Sequence, residues 1–191
     1  MTTHLDLGSG DNPRNPYSQE QVFGTDQSNL FANTNILKCA LGFQPIPFPD
    51  NSFESVSAYD LIEHIPRQSI NPLDGSLVFP FIFLMNEIYR VLKPNGLFLA
   101  LTPAYPAKQA FQDPTHVNFI TEDTHSYFVK NGIDSTRYGF IGNFQKVEVS
   151  RVFPEELYLK ETPFKLKLKK IRYKLLKRTI SHLKWELKAI K

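Results

Sequence analysis

The stretch Leu5-Asp-Leu-Gly-Ser-Gly-Asp11, with Asp26 closing the next apolar run, constrains this 191-residue chain more than any other feature. It reads as a strand that stops in a glycine turn, with a carboxylate at the end of the neighbouring strand. Glycines in such a turn let backbone N–H groups approach a bound nucleotide closely. A carboxylate on the next strand can accept both hydroxyls of a ribose.

The pattern downstream alternates. Residues 4–7, 22–26, 35–39 and 55–59 read as strands, and residues 96–102 form a nearly continuous apolar run that suits a strand buried on both faces. Residues 77–92 are the clearest helix, with Met85, Ile88, Tyr89 and Leu92 on one face, Pro80 in the first turn, and Lys93-Pro-Asn-Gly96 as the stop. Residues 144–152 and 156–160 read as two late strands around Pro154. This alternation predicts an α/β, Rossmann-like, doubly wound and mostly parallel sheet.

The size suits one buried core, and the 41% apolar content argues against disorder. The lone Cys39 excludes an internal disulfide framework and fits a reducing compartment. Met1-Thr-Thr-His lacks the charge and apolar run of a signal peptide, and the longest apolar run, residues 77–85, is too short for a bilayer. A cytoplasmic location is expected.

Charge is unevenly spread. Residues 164–191 carry +10 and the remainder −7. Thr162 and Pro163 make a helix start, and Phe164, Leu168, Ile171, Leu175, Leu176, Ile180, Leu183, Leu187 and Ile190 follow at steps of mostly three and four. The division predicted is a ligand-binding domain over 1–162 and a basic amphipathic helix over 163–191. That helix suits an anionic membrane surface, with Trp185 as an interfacial residue, or a partner groove; it can also simply lie on the core. Nucleic acid is disfavoured because the body is acidic.

Four blocks carry a resemblance. Leu5-Asp-Leu-Gly-Ser-Gly, Ile46-Pro-Phe-Pro-Asp-Asn-Ser-Phe53, Asp60-Leu-Ile-Glu-His64 and Glu87-Ile-Tyr-Arg-Val-Leu-Lys-Pro-Asn-Gly96 occur in this order in small class I S-adenosylmethionine (SAM)-dependent methyltransferases, which the chain resembles over residues 4–152. The resemblance implies SAM as cofactor. Asp6, Gly8, Ser9 and Gly10 would face its methionine part, Asp26 would hold the ribose diol, Ala40 and Leu41 would flank the adenine, and Asp60 would stand near the sulfonium. Relatives often carry an acid where Ala40 stands; a backbone carbonyl or Asn51 would then substitute. NAD is disfavoured, because Pro13 replaces the third glycine and residues 12–17 leave no room for the usual helix, so they must wrap the cofactor as a loop.

Methyl transfer to a hydroxyl needs a base. His116 is the first candidate, oriented by Asp113, with Tyr105 nearby in sequence; alternatively Asp113 caps a turn and His116 bonds to backbone. Asp60-Leu-Ile-Glu63-His64 is also similar to the acid-x-x-Glu-His motif of metal-dependent O-methyltransferases, among them ubiquinone-pathway and small-RNA 2′-O-methyltransferases. There a distant histidine completes the site, so Asp60, Glu63, His64 and His116 are candidate ligands for Mn²⁺ or Zn²⁺. Glu63 and His64 can also be plain first-turn residues. The block Thr102-Pro-Ala-Tyr-Pro with Asp113-Pro-Thr-His-Val resembles a bacterial subgroup found among glycan and surface-polysaccharide genes. It implies O-methylation of a sugar, glycan or related intermediate, with the acceptor pocket built from residues 66–80 and 103–130 or completed by a second subunit in a homodimer. A non-catalytic SAM-binding scaffold and an RNA 2′-O-methyltransferase remain alternatives.

Overall fold

The computed structural model describes residues 1–28, 34–130, 132–158, 163–176 and 178–191. A seven-stranded sheet runs in the order β3-β2-β1-β4-β7-β9-β8. Its strands are β1 (Thr3–Leu7), β2 (Gln21–Asp26), β3 (Ile36–Lys38), β4 (Phe53–Tyr59), β7 (Leu92–Pro103), β8 (Phe144–Val152) and β9 (His182–Ala189). A short hairpin, β5 (Ser69–Ile70) with β6 (Leu77–Val78), stands apart. β1 to β4 and β7 pair in parallel, while β9 runs antiparallel to both of its neighbours, so it alone is reversed. The chain moves outward from β1 to β3 and returns to β4 on the other side of β1. This reversal opens a crevice at the carboxyl ends of β1 and β4.

The two faces of the sheet differ. Leu5, Leu7, Val56, Ala58, Phe98 and Ala100 point to one side and join Leu84, Met85, Ile88 and Val91 of helix α1 (Pro80–Val91) in the main core. On α1, Glu87 and Arg90 form a clamp: Arg90 Nη2 donates to Glu87 Oε2 at 2.6 Å and to the Ile46 carbonyl at 2.9 Å, while Glu87 Oε2 accepts the Ile46 N–H at 2.8 Å. Two of the four sequence blocks are thereby bolted together, which is an architectural role. The opposite face carries a smaller apolar cluster, Tyr59, Leu99, Leu101 and Val152, and is polar where β1 meets the start of β4. His4 Nδ1 meets Ser55 Oγ at 2.7 Å and His4 Nε2 meets Ser57 Oγ at 2.8 Å; Ser57 in turn donates to Asp6 Oδ1 at 2.6 Å. Because Ser57 spends its proton on Asp6, it accepts from Nε2–H, which fixes the tautomer of His4. Burial holds this imidazole at about 4 and pushes the Asp6 carboxyl up to about 6.

The strands and α1 stand where the sequence predicts, with ends moved by at most four residues, the largest shift being the start of β7 at Leu92. As anticipated, residues 11–20 cross from β1 to β2 without a helix. Two readings are corrected. Glu156 does not begin a strand: Pro154 opens α3 (Pro154–Tyr158), and Glu156 Oε1 reaches back to the Phe153 N–H at 2.8 Å, a capping contact. Residues 159–160 lie outside the described residues. The basic segment is not one helix either. α4 covers Pro163–Leu175, and then β9 enters the sheet between β7 and β8. Leu183 and Leu187 fit both a helical stripe and a period of two, but Trp185 and Ala189 are also buried, and Lys184, Glu186 and Lys188 alternate with them. The segment after residue 162 is therefore partly integral to the domain, and Trp185 is a core residue rather than an interfacial one.

Trp185 is fully buried on β9, one strand in from the sheet's edge, so Trp185→Ala is expected to cost about 3–5 kcal/mol in thermal or denaturant unfolding; an unchanged transition would place β9 outside the core. The polar face predicts a pH effect. His4, held below its ordinary value, loses stability as pH falls from 6.5 towards 4, whereas Asp6, held above its own, loses it as pH rises through about 6. Replacing His4 by Gln removes the first effect. Relative to the parent, the variant is expected to gain about 3 kcal/mol between pH 6.5 and 4; a pH-independent difference would refute a buried neutral imidazole.

Candidate active site

At the crevice, Gly8 and Gly10 both have positive φ, at 65° and 55°. Gly8 passes so close to the segment that follows β4 that an added Cβ would lie 3.0 Å from Leu61 Cδ1. The Gly8 and Ser9 N–H groups donate to the Thr25 carbonyl at 2.8 and 3.1 Å, and Gly10 N–H donates to Asp26 Oδ2 at 3.0 Å. Asp26 also accepts the Ser28 N–H at 3.1 Å. Its carboxylate shapes the turn and still has lone pairs for two hydroxyls.

Asp6 and Ser9 are turned away from the crevice. Asp6 is fully buried and accepts the Arg14 backbone N–H at 2.8 Å as well as Ser57. Ser9 lies against Gly24, where an added Cβ would meet Ser9 Oγ at 2.4 Å and Pro13 Cγ at 2.9 Å. Both residues seat the helix-free crossover on the sheet, and Gly24 is the position that makes room for it. Leu41 is buried, and the Ala40 N–H is held by Gln44 Oε1 at 3.1 Å.

Asp60 ends β4 with φ at 46°, a left-handed conformation that Asp tolerates better than most residues. Tyr158 of α3 donates its hydroxyl to Asp60 Oδ2, and His182 Nε2 of β9 lies 3.3 Å from Oδ1, within ionic range but off hydrogen-bond alignment. Arg14 fills the adjacent space, its guanidinium carbon 4.8 Å from the Tyr59 ring centre and 5.1 Å from that of Tyr158. Sequence reasoning missed Arg14, Tyr158 and His182. No local pattern announces them, since they reach Asp60 from three separate segments.

Just beyond Asp60, a 3₁₀ turn (Ile62–His64) presents the second cluster. One donor atom each from Glu63, His64 and His116 lies within 4.8 Å of the others. The His64 and His116 rings stand edge to face, 4.8 Å apart. Glu63 Oε2 accepts the Thr102 hydroxyl at 2.9 Å, while its Oε1 is buried with no partner among the described residues. Burial, reinforced by the Asp60 and Asp113 charges, pushes this carboxyl up to about 8.

The structure corrects the role expected of Asp113. Its Oδ1 accepts the Thr115 N–H and hydroxyl at 2.8 and 2.6 Å, capping its own turn, and makes no hydrogen bond to His116. Because Thr115 gives its proton to Asp113, its oxygen accepts from His64 Nδ1 at 3.0 Å, so Asp113 orients His64. His116 Nδ1 is placed by the Ala110 carbonyl at 3.3 Å. Both imidazoles are thus held with Nδ1 protonated and Nε2 as the free lone pair. Asp60 stays outside this cluster, because Tyr158 and His182 engage it. Tyr105 is exposed, and its ring packs edge-on against Phe111 at 6.3 Å rather than against either histidine.

Comparison with known proteins bears on the family and the fold. Residues 5–100 match the model of a methyltransferase domain. Over 125 residues, 63% of the chain, the sequence is 29% identical to sterol 24-C-methyltransferase of Pneumocystis carinii (strain B80), and the chain spans 28% of that relative. Among solved structures, a complex of the Haloferax volcanii Trm112 methyltransferase activator superposes with a TM-score of 0.58 at 16% identity, covering 100% of this chain and 83% of the other. An S-adenosylmethionine-dependent methyltransferase from Mesorhizobium loti superposes with a TM-score of 0.55 at 14% identity, covering 97% and 90%. At such identities the superpositions speak for the fold, and the sequence match, which takes in half of the chain, speaks for the family. With its glycine turn, its reversed β9 and its crevice at the β1–β4 switch point, the chain belongs to the methyltransferase domain family and has the Rossmann-like class I methyltransferase fold.

Proposed function

We propose that the chain transfers a methyl group from SAM to a hydroxyl of a sugar, glycan or related small-molecule acceptor. The observation that carries this reading is the pair of imidazoles with free Nε2 atoms, set beside buried Glu63 on the lip of the crevice. SAM supplies a methyl carbon on a sulfonium, open to in-line displacement with a neutral thioether as leaving group. In this reading the backbone of Gly8, Ser9 and Gly10 lines the methionine side, Asp26 takes the ribose diol, and the backbone at Ala40 and Leu41 flanks the adenine once Gln44 yields. Asp60 and Arg14 bring opposite charges to the end of β4, suited to the amino and carboxylate groups of a zwitterionic tail. His116 Nε2 removes the acceptor proton as the new C–O bond forms, and Asp113 acts at one remove through Thr115 and His64.

In this reading the acceptor enters a separate cavity, which Glu63, His64 and His116 do not line. A cavity of about 540 Å³ is lined by Arg67, Phe79, Phe119, Tyr127 and Tyr138 among others. Phe119 stacks on Phe111 at 4.8 Å, and both are largely exposed. Of the aromatics lining the cavity, Phe81 and Phe128 are core, whereas Phe119 and Tyr127 are exposed and offer faces for a sugar ring.

A second reading concerns the same cluster. One donor atom each from Glu63, His64 and His116 makes a three-donor set that fits Zn²⁺ or Mn²⁺, with Asp60 left to the crevice. Bound there, a cation would lower the pKa of an acceptor hydroxyl.

Titration calorimetry with SAM is expected to give one site, and Asp26→Ala is expected to weaken it by about tenfold or more, equivalent to about 1.4 kcal/mol. A flat titration of the parent overturns the methyltransferase reading. For the cation, titration with ZnCl₂ or MnCl₂ is expected to show one ion per chain, lost in His116→Ala. A parent that takes up neither metal removes the second reading and leaves His116 as the base.

A further inference from the structure

α4 is inside out for a helix lying on a protein. Its body side carries Tyr173, whose ring packs edge-on against Phe153 at 4.8 Å, and Lys169, whose Nζ sits 4.2 Å above the same ring and 3.0 Å from Glu155 Oε1. Lys170 reaches Glu156 at 2.9 Å. At 100° per residue, Phe164, Leu168, Ile171 and Leu175 fall within about 60° of arc on the opposite side. They are 72%, 53%, 48% and 78% exposed. Lys165 and Arg172 flank this strip on one side and Lys167 on the other, and none of the three makes an ion pair among the described residues. Charged groups and the Tyr173 ring hold the helix to the domain, and the strip of Phe164, Leu168, Ile171 and Leu175 faces solvent, bordered by cations.

We propose that this outer face of α4 docks in the plane of an anionic lipid surface, with the apolar strip among the acyl chains and the lysines and arginine at the headgroups. Charge selects this occupant. Residues 163–176 hold six basic side chains and no acid. A second copy of the helix would bring like charge against like charge, whereas an anionic headgroup layer neutralises both flanks of the strip at once. The strip is about 16 Å long and straight, as an interfacial helix requires. Among the described residues no helix is long and apolar enough to cross a membrane, so the contact is one of lying on the surface. Docking in this way would place a soluble-domain crevice beside a membrane without embedding it, since the helix connects through α3 to the Tyr158–Asp60 contact only on its inner side.

Co-sedimentation of the full chain with vesicles tests the proposal. Binding to vesicles with about one-third phosphatidylserine is expected to exceed binding to pure phosphatidylcholine by about tenfold or more, and to weaken in high salt. The variant Leu168→Glu/Ile171→Glu is expected to lose at least about tenfold in affinity with its thermal transition unchanged, because both side chains already face water. Lys165→Glu/Arg172→Glu should lose the preference for phosphatidylserine. Failure of the parent to bind, or equal binding by the parent and the Leu168/Ile171 variant, overturns the proposal. So does self-association in sedimentation velocity that this variant abolishes while the vesicles stay empty, which would make the face a dimer contact. Retention on an RNA oligonucleotide that both proteins share, without vesicle binding, would reduce it to a polyanion site.

Discussion

Asp6 accepts one hydrogen bond from Ser57 on β4 and another from the backbone of Arg14 in the first crossover. A usual α/β sheet would cover β1 on this side with an amphipathic helix and a layer of aliphatic side chains. Here ten residues connect the glycine turn to β2, and they bring polar groups to the polar part of this sheet face. The buried carboxyl is what the crossover grips. Ser57 and His4 satisfy the rest of the network, Gly24 gives Ser9 and Pro13 room to settle, and the turn is then held against β2, its Gly8, Ser9 and Gly10 N–H groups donating to the Thr25 carbonyl and to Asp26. A buried polar network of this kind stabilises only when every member is satisfied, so its parts are interdependent in a way that aliphatic packing is not.

The parallel half of the molecule was legible in the sequence because its signals are local. Apolar runs marked β1, β2, β4 and β7, glycines marked the turn, and the Pro80 and Lys93–Gly96 punctuation marked α1. Glu87 and Arg90 were read as family signature, and the structure gives them a mechanical purpose. The C-terminal half was harder for two reasons. Steps of three and four cannot be told from steps of two when Leu183 and Leu187 satisfy both, and a strand that inserts between two others owes its place to long-range pairing. Pro154 illustrates a smaller ambiguity: a proline beside apolar residues can end a strand or open a helix, and only the reach of Glu156 back to Phe153 decides it.

The reactive cluster shows a similar division. Residue types and their order pointed to His116, His64 and Glu63, but the connections among them were invisible. Asp113 stands three residues from His116 and serves His64 instead, because the compact turn through Thr115 directs its oxygens elsewhere. Arg14, Tyr158 and His182 converge on Asp60 from a crossover, a short helix and the reversed strand. Proximity in sequence was a poor guide to proximity in the crevice wherever a loop doubled back.

The position of β9 bears on how the molecule is made. It follows β8 in the chain yet separates β8 from β7 in space. A polypeptide leaving the ribosome amino end first therefore completes β7, with its apolar run, long before the segment that will cover that edge has been synthesised. During this interval β7 offers unpaired backbone groups to any passing strand. β8 meanwhile has no other strand of the sheet beside it, only the bridge from Phe144 to Val129. Holding that open seam against mispairing falls to whatever assists the nascent chain, and closure comes only with the arrival of His182–Ala189.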